Sequence, residues 1–313
     1  MRDRLTIVYM GTPDFAVPGL DALIRDGHHL PLVVTQPDRP RGRGRKLSPP
    51  PLKTAAENHG CRTIQPDSPG SREVLDRIAA LAPDLLVVVA YGALLPRSVL
   101  DLPSRGAVNI HPSLLPAYRG PAPIQWAIIN GERETGVTSI FMTEAMDAGD
   151  IILTEKVPVL PEETAGQLHD RLAEIGAALL SRTVRAIVAG EADPVAQDDN
   201  LVTYAPRLTK ADGRVDWSRP AERLVDFIRG MTPWPGAHTI WGDRRLNIQR
   251  AKAVKSQASA APGTVIQGFP GELRVKAGQD ALSILTLQGA SGKIMDIGDF
   301  LRGCPIPENS VLS

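Results

Sequence analysis

The sequence has little cysteine, no long apolar run and no excess charge of either sign. No apolar run approaches the roughly 18 to 20 residues that a membrane-spanning helix needs. The first residues lead into a short strand-like run and contain no signal-peptide core. These absences predict a cytoplasmic protein without a membrane segment.

The few cysteines and the balanced charge exclude further classes of protein. Cys61 and Cys304 are far apart and have no His or Cys neighbours at metal-ligand spacing. A disulfide scaffold and a structural zinc site are therefore disfavoured. The 35 Lys and Arg residues equal the 35 Asp and Glu residues, so the total charge gives no support for nucleic-acid binding.

Two common nucleotide-binding motifs are also missing. Gly11 to Phe15 (GTPDF) follow the first strand-like run but lack the second and third glycines of a dinucleotide-binding turn, and Pro13 removes an amide donor. No P-loop pattern occurs either. A nicotinamide dehydrogenase and a P-loop hydrolase are therefore disfavoured, and a plain strand-to-helix turn accounts for GTPDF.

The first half of the sequence alternates short β-branched runs with amphipathic stretches. This alternation is typical of βαβ units and predicts an α/β fold with a doubly wound, largely parallel sheet. The predicted strands cover residues 5–10, 30–36, 84–90 and 107–111, and the predicted helices cover about 15–26, 51–59, 71–81 and 164–188.

The second half shows a different pattern. Since the chain has 313 residues and domains average about 150, two domains are expected. Residues 191–208 lose periodicity and predict a linker between a domain at 1–190 and another at 209–313. The latter has one helical stretch and several short alternating runs, which favour a small β-barrel, with the OB type as one candidate. It carries fourteen Lys and Arg residues against ten Asp and Glu residues.

Residues 36–53 form a strongly basic segment with six Lys and Arg residues against the single Asp38. Its glycines and prolines predict a mobile loop outside regular structure, at the carboxyl edge where α/β sheets bind ligands. An ordinary solvated loop is one interpretation. Because the cluster stands at this edge in a neutral protein, binding of an anionic polymer is favoured.

Asn109 and His111 lie two residues apart on a predicted strand. Side chains two apart project to the same face, so this carboxamide and this imidazole converge while Val108 and Ile110 pack on the other face. Together they could stabilise a developing oxyanion and exchange a proton near neutral pH. Satisfaction of loop backbone at a strand end is an equally good interpretation of these two residues alone.

A turn between two later strand-like runs, residues 136–143 and 151–158, carries two carboxylates. Asp147 is the candidate that would orient His111 or accept a proton from an attacking amine. Asp150 is the competitor, and turn capping is the alternative for either residue. Spacing alone does not choose between them.

Several segments taken together resemble a known family. They are GTPDF, QPDRPRGRGRKL, VVVAYGALLP, the stretch from NIHPSLLP to MDAGDI, and WSRPAERLVDFIRGMTPWPGA. They resemble the methionyl-tRNA formyltransferases, which belong to the 10-formyltetrahydrofolate-dependent formyltransferases, over essentially the whole chain. The resemblance implies a Rossmann-like formyltransferase domain followed by an OB-like tRNA-binding barrel. It further implies formyl transfer from 10-formyltetrahydrofolate to methionine on initiator tRNA, by a monomer that needs no metal.

The resemblance also implies roles for particular residues. The residues matching the catalytic trio are Asn109, His111 and Asp147. The residues matching the folate site are Ser113, Leu114, Leu115 and Pro116, with Val88, Val89, Ala90, Tyr91 and Gly92 around the pterin ring. The residues matching contacts to tRNA are Arg43, Arg45 and Lys46.

Two other functions remain as alternatives. A formyltransferase for a small amine, such as an amino sugar or a ribonucleotide, would use the same folate site and would not need residues 209–313. A non-catalytic tRNA-binding protein on a degenerate scaffold is disfavoured because Asn109, His111 and Asp147 are all present.

Overall fold

The computed structural model describes residues 4–41, 46–268, 271–289 and 292–313, with residues 41 and 46 described by their strand positions. Contacts between Cα atoms divide the chain into two compact units. The first unit contains Met1–Pro123, Glu134–Pro158 and His169–Ala205. The second contains Ile124–Arg133, Val159–Leu168 and Pro206–Ser313. The division at 1–190, 191–208 and 209–313 stays a prediction.

The strands and helices up to residue 189 follow in chain order. They are β1 (Thr6–Gly11), α1 (Val17–Arg25), β2 (His29–Val34), β3 (Arg39–Arg41), β4 (Lys46–Ser48), α2 (Pro51–Asn58), β5 (Thr63–Ile64), α3 (Arg72–Ala80), β6 (Leu85–Val89), α4 (Arg97–Leu100), β7 (Ala107–His111), α5 (Pro123–Ile129), β8 (Glu134–Phe141), β9 (Ile151–Pro158) and α6 (Ala165–Ala189).

The first unit is built on a seven-stranded sheet in the order β5-β2-β1-β6-β7-β8-β9. Neighbours from β5 to β7 pair in parallel, whereas β7, β8 and β9 pair antiparallel. The predicted doubly wound, largely parallel sheet is therefore confirmed. β6 reads LLVVV and is buried along its whole length, as expected for a strand that is covered on both faces.

The two faces of this sheet are covered by different helices. Val74 and Ile78 of α3 are four residues apart, so they lie on one side of the helix and pack into a cluster with strand residues such as Val8 and Leu86. Burying each of these two side chains contributes about 1.5–3 kcal/mol. On the other face, Ile110 of β7 points toward α6.

The strand order places β1, β6 and β7 side by side, so their carboxyl ends meet at one edge. The chain winds in opposite directions on either side of β1, and open α/β sheets bind ligands at such a switch point. A Cβ atom at Gly11 would lie 2.7 Å from the carbonyl oxygen of Val89. The glycine of GTPDF therefore permits a close approach of β1 and β6 at the edge where a ligand would bind.

The second unit contains a six-stranded antiparallel sheet in the order β10-β11-β14-β13-β12, with β15 paired to β14. Its elements are α7 (Ala221–Met231), β10 (Ala237–Trp241), β11 (Arg244–Val254), β12 (Val265–Gln267), β13 (Leu273–Lys276), β14 (Ala281–Gln288), β15 (Ile294–Asp296) and α8 (Ile297–Gly303). This sheet agrees with the smaller OB-like domain that was predicted. No helix in the described ranges is long and apolar enough to cross a membrane.

The basic segment 36–53 differs from the prediction. β3 and β4 pair antiparallel with Arg39 opposite Ser48, so part of the segment forms a two-stranded hairpin. The prediction that glycines and prolines keep the whole segment out of regular structure is wrong for the six residues of β3 and β4, and for residues 51–53, which begin α2. Pro40 is tolerated because a two-stranded ribbon consists of edge strands, where a missing N–H need not break a ladder.

Candidate active site

Two polar side chains stand near the end of β7, at the edge where β1 and β6 also end. Asn109 is half-buried and lies in register with Val88 of β6. Within the part of the chain that the structure describes, its carboxamide has no hydrogen-bond partner, so its N–H groups are available to a ligand. Ile110 faces α6, as the alternation along an extended strand requires.

His111 is the last residue of β7 and is 5% exposed. Its Nε2 atom lies 3.0 Å from the carbonyl oxygen of Tyr118, which can only accept. Its Nδ1 atom lies 3.6 Å from Oδ1 of Asp147. Both ring nitrogens therefore face oxygen acceptors, and a protonated imidazole can donate toward each of them.

Asp147 lies in the turn between β8 and β9 with a φ of 52°. Its Oδ2 atom accepts a hydrogen bond of 2.9 Å from the backbone N–H of Gly120, and its Oδ1 atom faces His111. Asp150 is exposed, and the described contact with His111 is made by Asp147. The structure thus places Asp147, rather than its competitor, beside the imidazole.

Residues 113–116 (SLLP) come shortly after His111 in the chain, and Thr138 holds their backbone through two hydrogen bonds. The Thr138 hydroxyl donates to the carbonyl oxygen of Ser113 at 2.7 Å and accepts from the backbone N–H of Leu115 at 3.2 Å. Ser113 is fully buried and its hydroxyl donates to the carbonyl oxygen of Ala117. These bonds fix the backbone path of the turn, in which Leu114 is half-buried.

Thr138 is a residue that the sequence reasoning missed. It lies opposite His111 in the β7–β8 register and is fully buried. The available signal was the alternation along residues 136–143, which places this hydroxyl on one face of a strand. Without the register, nothing showed that this face meets the turn after His111.

The segment that follows β6 lies at the same edge. Val88 and Val89 are buried, and the Tyr91 side chain packs into the core with 2% exposure. Ala90 and Gly92 are exposed and have positive φ values of 49° and 93°. This alternation directs the tyrosine inward and leaves backbone and small residues on the open side, which suits contact with a flat ring.

The basic hairpin contains the residues expected to contact tRNA. Arg43 and Arg45 lie outside the described residues, and Lys46 begins β4. Lys53, which also contributed to the basic segment, has its Nζ atom 3.2 Å from Oδ1 of Asp38 and 2.6 Å from Oε1 of Gln65. Its charge is therefore partly satisfied within the protein.

Among the described residues, no group of three or more His, Cys, Asp or Glu side chains is arranged to hold a metal ion. The polar groups at the β7 edge form instead a set of one carboxamide, one imidazole and one carboxylate. Such a set can stabilise an oxyanion and move a proton.

Comparison with known proteins shows which family the chain belongs to. The family described as "Formyl transferase" matches residues 3–184, and "Formyl transferase, C-terminal domain" matches residues 207–305. A methionyl-tRNA formyltransferase from Moorella thermoacetica is 47% identical over 98% of this chain and 99% of its own length. The chain belongs to the methionyl-tRNA formyltransferase family. A second member, from Halalkalibacterium halodurans, is 46% identical over 96% of this chain and 95% of its own length.

Solved structures with low sequence identity share the fold of this family member. HypX from Aquifex aeolicus in complex with tetrahydrofolic acid gives a TM-score of 0.63 at 17% identity over 95% of this chain. The chain spans about half of HypX, 47% of its length. The N-formyltransferase from Helicobacter canadensis in complex with folinic acid and dTDP-3-aminofucose gives 0.65 at 16% identity, over 90% of this chain and 99% of that one.

Proposed function

We propose that this chain transfers the formyl group of 10-formyltetrahydrofolate to the free amine of methionine on initiator tRNA, which yields formylmethionyl-tRNA for translation initiation. The observation that carries the proposal is the pairing of His111 with Asp147 next to Asn109, in a chain 47% identical over nearly its full length to a methionyl-tRNA formyltransferase.

The catalytic roles follow from where charge develops. As the amine adds to the formyl carbon, the formyl oxygen becomes negative and the amine nitrogen becomes positive. The carboxamide of Asn109 donates to this oxygen, and a protonated His111 adds positive charge beside it. Asp147 faces Nδ1 of His111 and orients the imidazole, and it helps to move the proton from the attacking nitrogen to the departing folate nitrogen.

The formyl donor carries its formyl group on a folate nitrogen, and this chain provides the site that binds the donor. Ser113, Leu114, Leu115 and Pro116 form the turn next to His111 that holds the folate. Val88 to Gly92 form the wall against its pterin ring. The observation that supports this fit is the outward-facing backbone at Ala90 and Gly92, which leaves room for a flat heterocycle.

The tRNA is bound by two parts of the chain. The basic hairpin brings Arg43, with Arg45 and Lys46 as secondary contacts, to the acceptor end, where phosphate contacts give salt-sensitive affinity. Residues 209–313, with their excess of basic residues, form the second tRNA-binding part. The working form is a cytoplasmic monomer with a catalytic domain at 1–190 and a linker at 191–208.

The deciding experiment measures transfer of labelled formyl from 10-formyltetrahydrofolate. The acceptors are Met-charged initiator tRNA, Met-charged elongator tRNA, an amino sugar nucleotide and a glycinamide ribonucleotide. Formylation of the initiator alone is expected. Formylation of a small amine alone would favour the small-amine alternative, and tRNA binding without transfer would favour a non-catalytic binding protein.

The hairpin role has its own test. Arg43→Ala is expected to lose turnover of Met-tRNA while binding of the formyl donor persists. Arg72→Ala, which removes an exposed arginine that pairs with Asp76 on α3, is the matched control and should change neither. An unchanged KM for tRNA and an unchanged rate in Arg43→Ala would contradict the role of the hairpin.

A further inference from the structure

A segment remote in sequence from the β7 edge reaches the turn that carries Asp147. Residues 195–205, called the strap here, follow α6 and lie in the first compact unit. At one end, Val195 and Ile151 exchange backbone hydrogen bonds of 2.9 and 2.8 Å. At the other end, the backbone N–H of Arg119 donates to the carbonyl oxygen of Thr203 at 2.9 Å. The strap therefore joins the start of β9 to the loop after β7.

Gln197 lies between these two ends, and both the nitrogen and the oxygen of its carboxamide form hydrogen bonds. Its Nε2 atom donates to the carbonyl oxygen of Asp147 at 2.8 Å and to that of Gly149 at 2.7 Å. Its Oε1 atom accepts from Nε and Nη2 of Arg119 at 3.0 and 2.8 Å. Both donors and both lone pairs of the amide are thus occupied.

Arg119 determines which way this amide faces. Its side chain is 8% exposed, and a guanidinium can only donate, so the oxygen of Gln197 must face it. The amide nitrogen is then directed at the two carbonyl groups of the catalytic turn. The other described partner of the guanidinium is Asp199, at 3.5 Å with a side chain that is 90% exposed, which is a weak competitor.

The turn between β8 and β9, which Gln197 contacts, has an uncommon backbone conformation. Asp147 has a φ of 52°, a region that L-residues adopt only when the surroundings hold them there. Gly149 passes so close to Phe141 that a Cβ atom would overlap its carbonyl oxygen. The two hydrogen bonds from Gln197 therefore hold the backbone at Asp147 and Gly149, while the backbone N–H of Gly120 holds the Asp147 carboxylate.

We propose that Gln197 is a positioning residue for the reaction, which holds the backbone of Asp147 and Gly149 so that the Asp147 carboxylate faces His111. The inference rests on the proposed catalytic role of Asp147. It adds a residue from the predicted linker to the residues on which catalysis depends. A displacement of about 1 Å in a catalytic group can cost about a hundredfold in rate, so loss of this clamp has a large effect on turnover.

The backbone bridges of the strap do not involve the Gln197 side chain. Val195 with Ile151, and Thr203 with Arg119, would stay paired after Gln197 is shortened. Truncation therefore frees the catalytic turn without releasing the strap. A purely structural role would lower stability alone, whereas a positioning role lowers kcat.

The test uses the full chain in steady-state formylation of Met-tRNA, with each substrate varied in turn, and compares kcat with the two KM values. Gln197→Ala is expected to lower kcat about ten- to a hundredfold, with KM values for tRNA and formyl donor within about twofold of wild type.

Two further variants separate the contributions. Gln197→Glu keeps an acceptor for Arg119 but cannot donate to the carbonyls of Asp147 and Gly149, so it should not restore kcat. Asn200→Ala is the matched control on the strap, since its side chain contacts Asp198 and not the catalytic turn, and it should retain wild-type kcat.

The outcomes distinguish the inference from the proposed function. Asp147→Asn, assayed in parallel, is expected to be nearly inactive. If it is inactive while Gln197→Ala keeps wild-type kcat, the positioning role is overturned and the catalytic site stands. If Asp147→Asn retains wild-type kcat, the proposed catalytic site is overturned, and the positioning role with it.

Discussion

At the scale of single residues, the carboxamide of Asn109 offers the cleanest substitution. It has no hydrogen-bond partner among the described residues, so Asn109→Ala leaves no protein group unsatisfied. Loss of an oxyanion donor typically costs about a hundredfold or more in rate. We expect kcat for Met-tRNA formylation to fall by about that factor, with the free energy of unfolding unchanged within about 0.5 kcal/mol.

The control for this prediction is Asn58→Ala, which removes an exposed carboxamide at the end of α2. It should affect neither kcat nor the urea midpoint. Near wild-type turnover in Asn109→Ala would show that this side chain does not stabilise the reacting oxygen.

His111 makes a less clean test, because His111→Ala also removes the donor to the Tyr118 carbonyl oxygen. One such hydrogen bond contributes about 0.5–1.5 kcal/mol net to stability, so loss of stability would accompany loss of activity.

Gly149 supports the catalytic turn through its lack of a side chain. A Cβ atom at this position would overlap the Phe141 carbonyl oxygen, which belongs to a strand and cannot move aside easily. We expect Gly149→Ala to destabilise the protein by about 1–3 kcal/mol and to lower kcat, measured by urea unfolding and by formylation.

The comparison variant is Gly298→Ala, at a helical glycine of α8 with nothing within 4 Å of the added Cβ. Because alanine is the better helix former, this change should be neutral or stabilise by about 0.5–1 kcal/mol. Equal behaviour of the two alanine variants would refute the close approach at Gly149.

At the scale of elements, the base of the basic hairpin is held by one glutamine. Gln65 donates to the carbonyl oxygen of Gln36 at 2.8 Å and to Asp38 at 2.7 Å, and accepts from Lys53 at 2.6 Å. The hydrogen bond that Gln65 donates to Asp38 is the largest cause of the lowered pKa of Asp38. Gln65→Leu should free the hairpin and raise the KM for tRNA about threefold to tenfold, with the donor KM unchanged.

Steady-state kinetics with each substrate varied in turn would check this effect. The control is Thr63→Val on β5, the strand that Gln65 follows. The Thr63 hydroxyl contacts Glu57, and its loss should leave both KM values unchanged. A raised donor KM in Gln65→Leu would place the effect at the β7 edge instead of the hairpin.

The sequence was sufficient to predict those elements whose residue pattern lies within one continuous stretch of chain. The buried run of β6, the long amphipathic α6 and the paired polar residues of β7 each show in a few consecutive residues. The contribution of Gln197 depends on a contact fifty residues away in the chain from Asp147. Loss of periodicity in residues 191–208 indicates only an irregular backbone, and irregular backbone can be either free or tightly hydrogen-bonded.

For the same reason, the sequence could not show the role of Thr138 or decide between Asp147 and Asp150. Each depends on how the β8–β9 turn folds over the end of β7, which is a matter of strand register and of the left-handed conformation of Asp147. Hydrophobic periodicity constrains which face a side chain takes but not which loop lies above it.

At the scale of the whole molecule, each compact unit carries, among its described residues, one buried histidine outside the β7 edge. In the first unit, Nδ1 of His28 accepts the backbone N–H of Leu5 at 3.3 Å. Burial lowers the pKa of His28 from 6.5; Arg4 lowers it further, and Asp26 raises it. Burial likewise lowers the pKa of His238 in the second unit, with Arg245 adding to the effect.

These shifts predict a loss of stability in mild acid. As the pH falls below 6.5, both histidines become protonated in the unfolded chain but stay neutral in the folded protein, because folding lowers their pKa values. The free energy of unfolding therefore decreases as the pH falls toward the folded pKa values. His28→Asn keeps an acceptor near Leu5 without a titrating ring, so its urea midpoint should fall less between about pH 7.5 and 5.5 than that of the wild type. The same change at the exposed neighbour His29 should leave the wild-type slope. If His28→Asn and His29→Asn had equal slopes, the acid sensitivity would arise elsewhere in the chain.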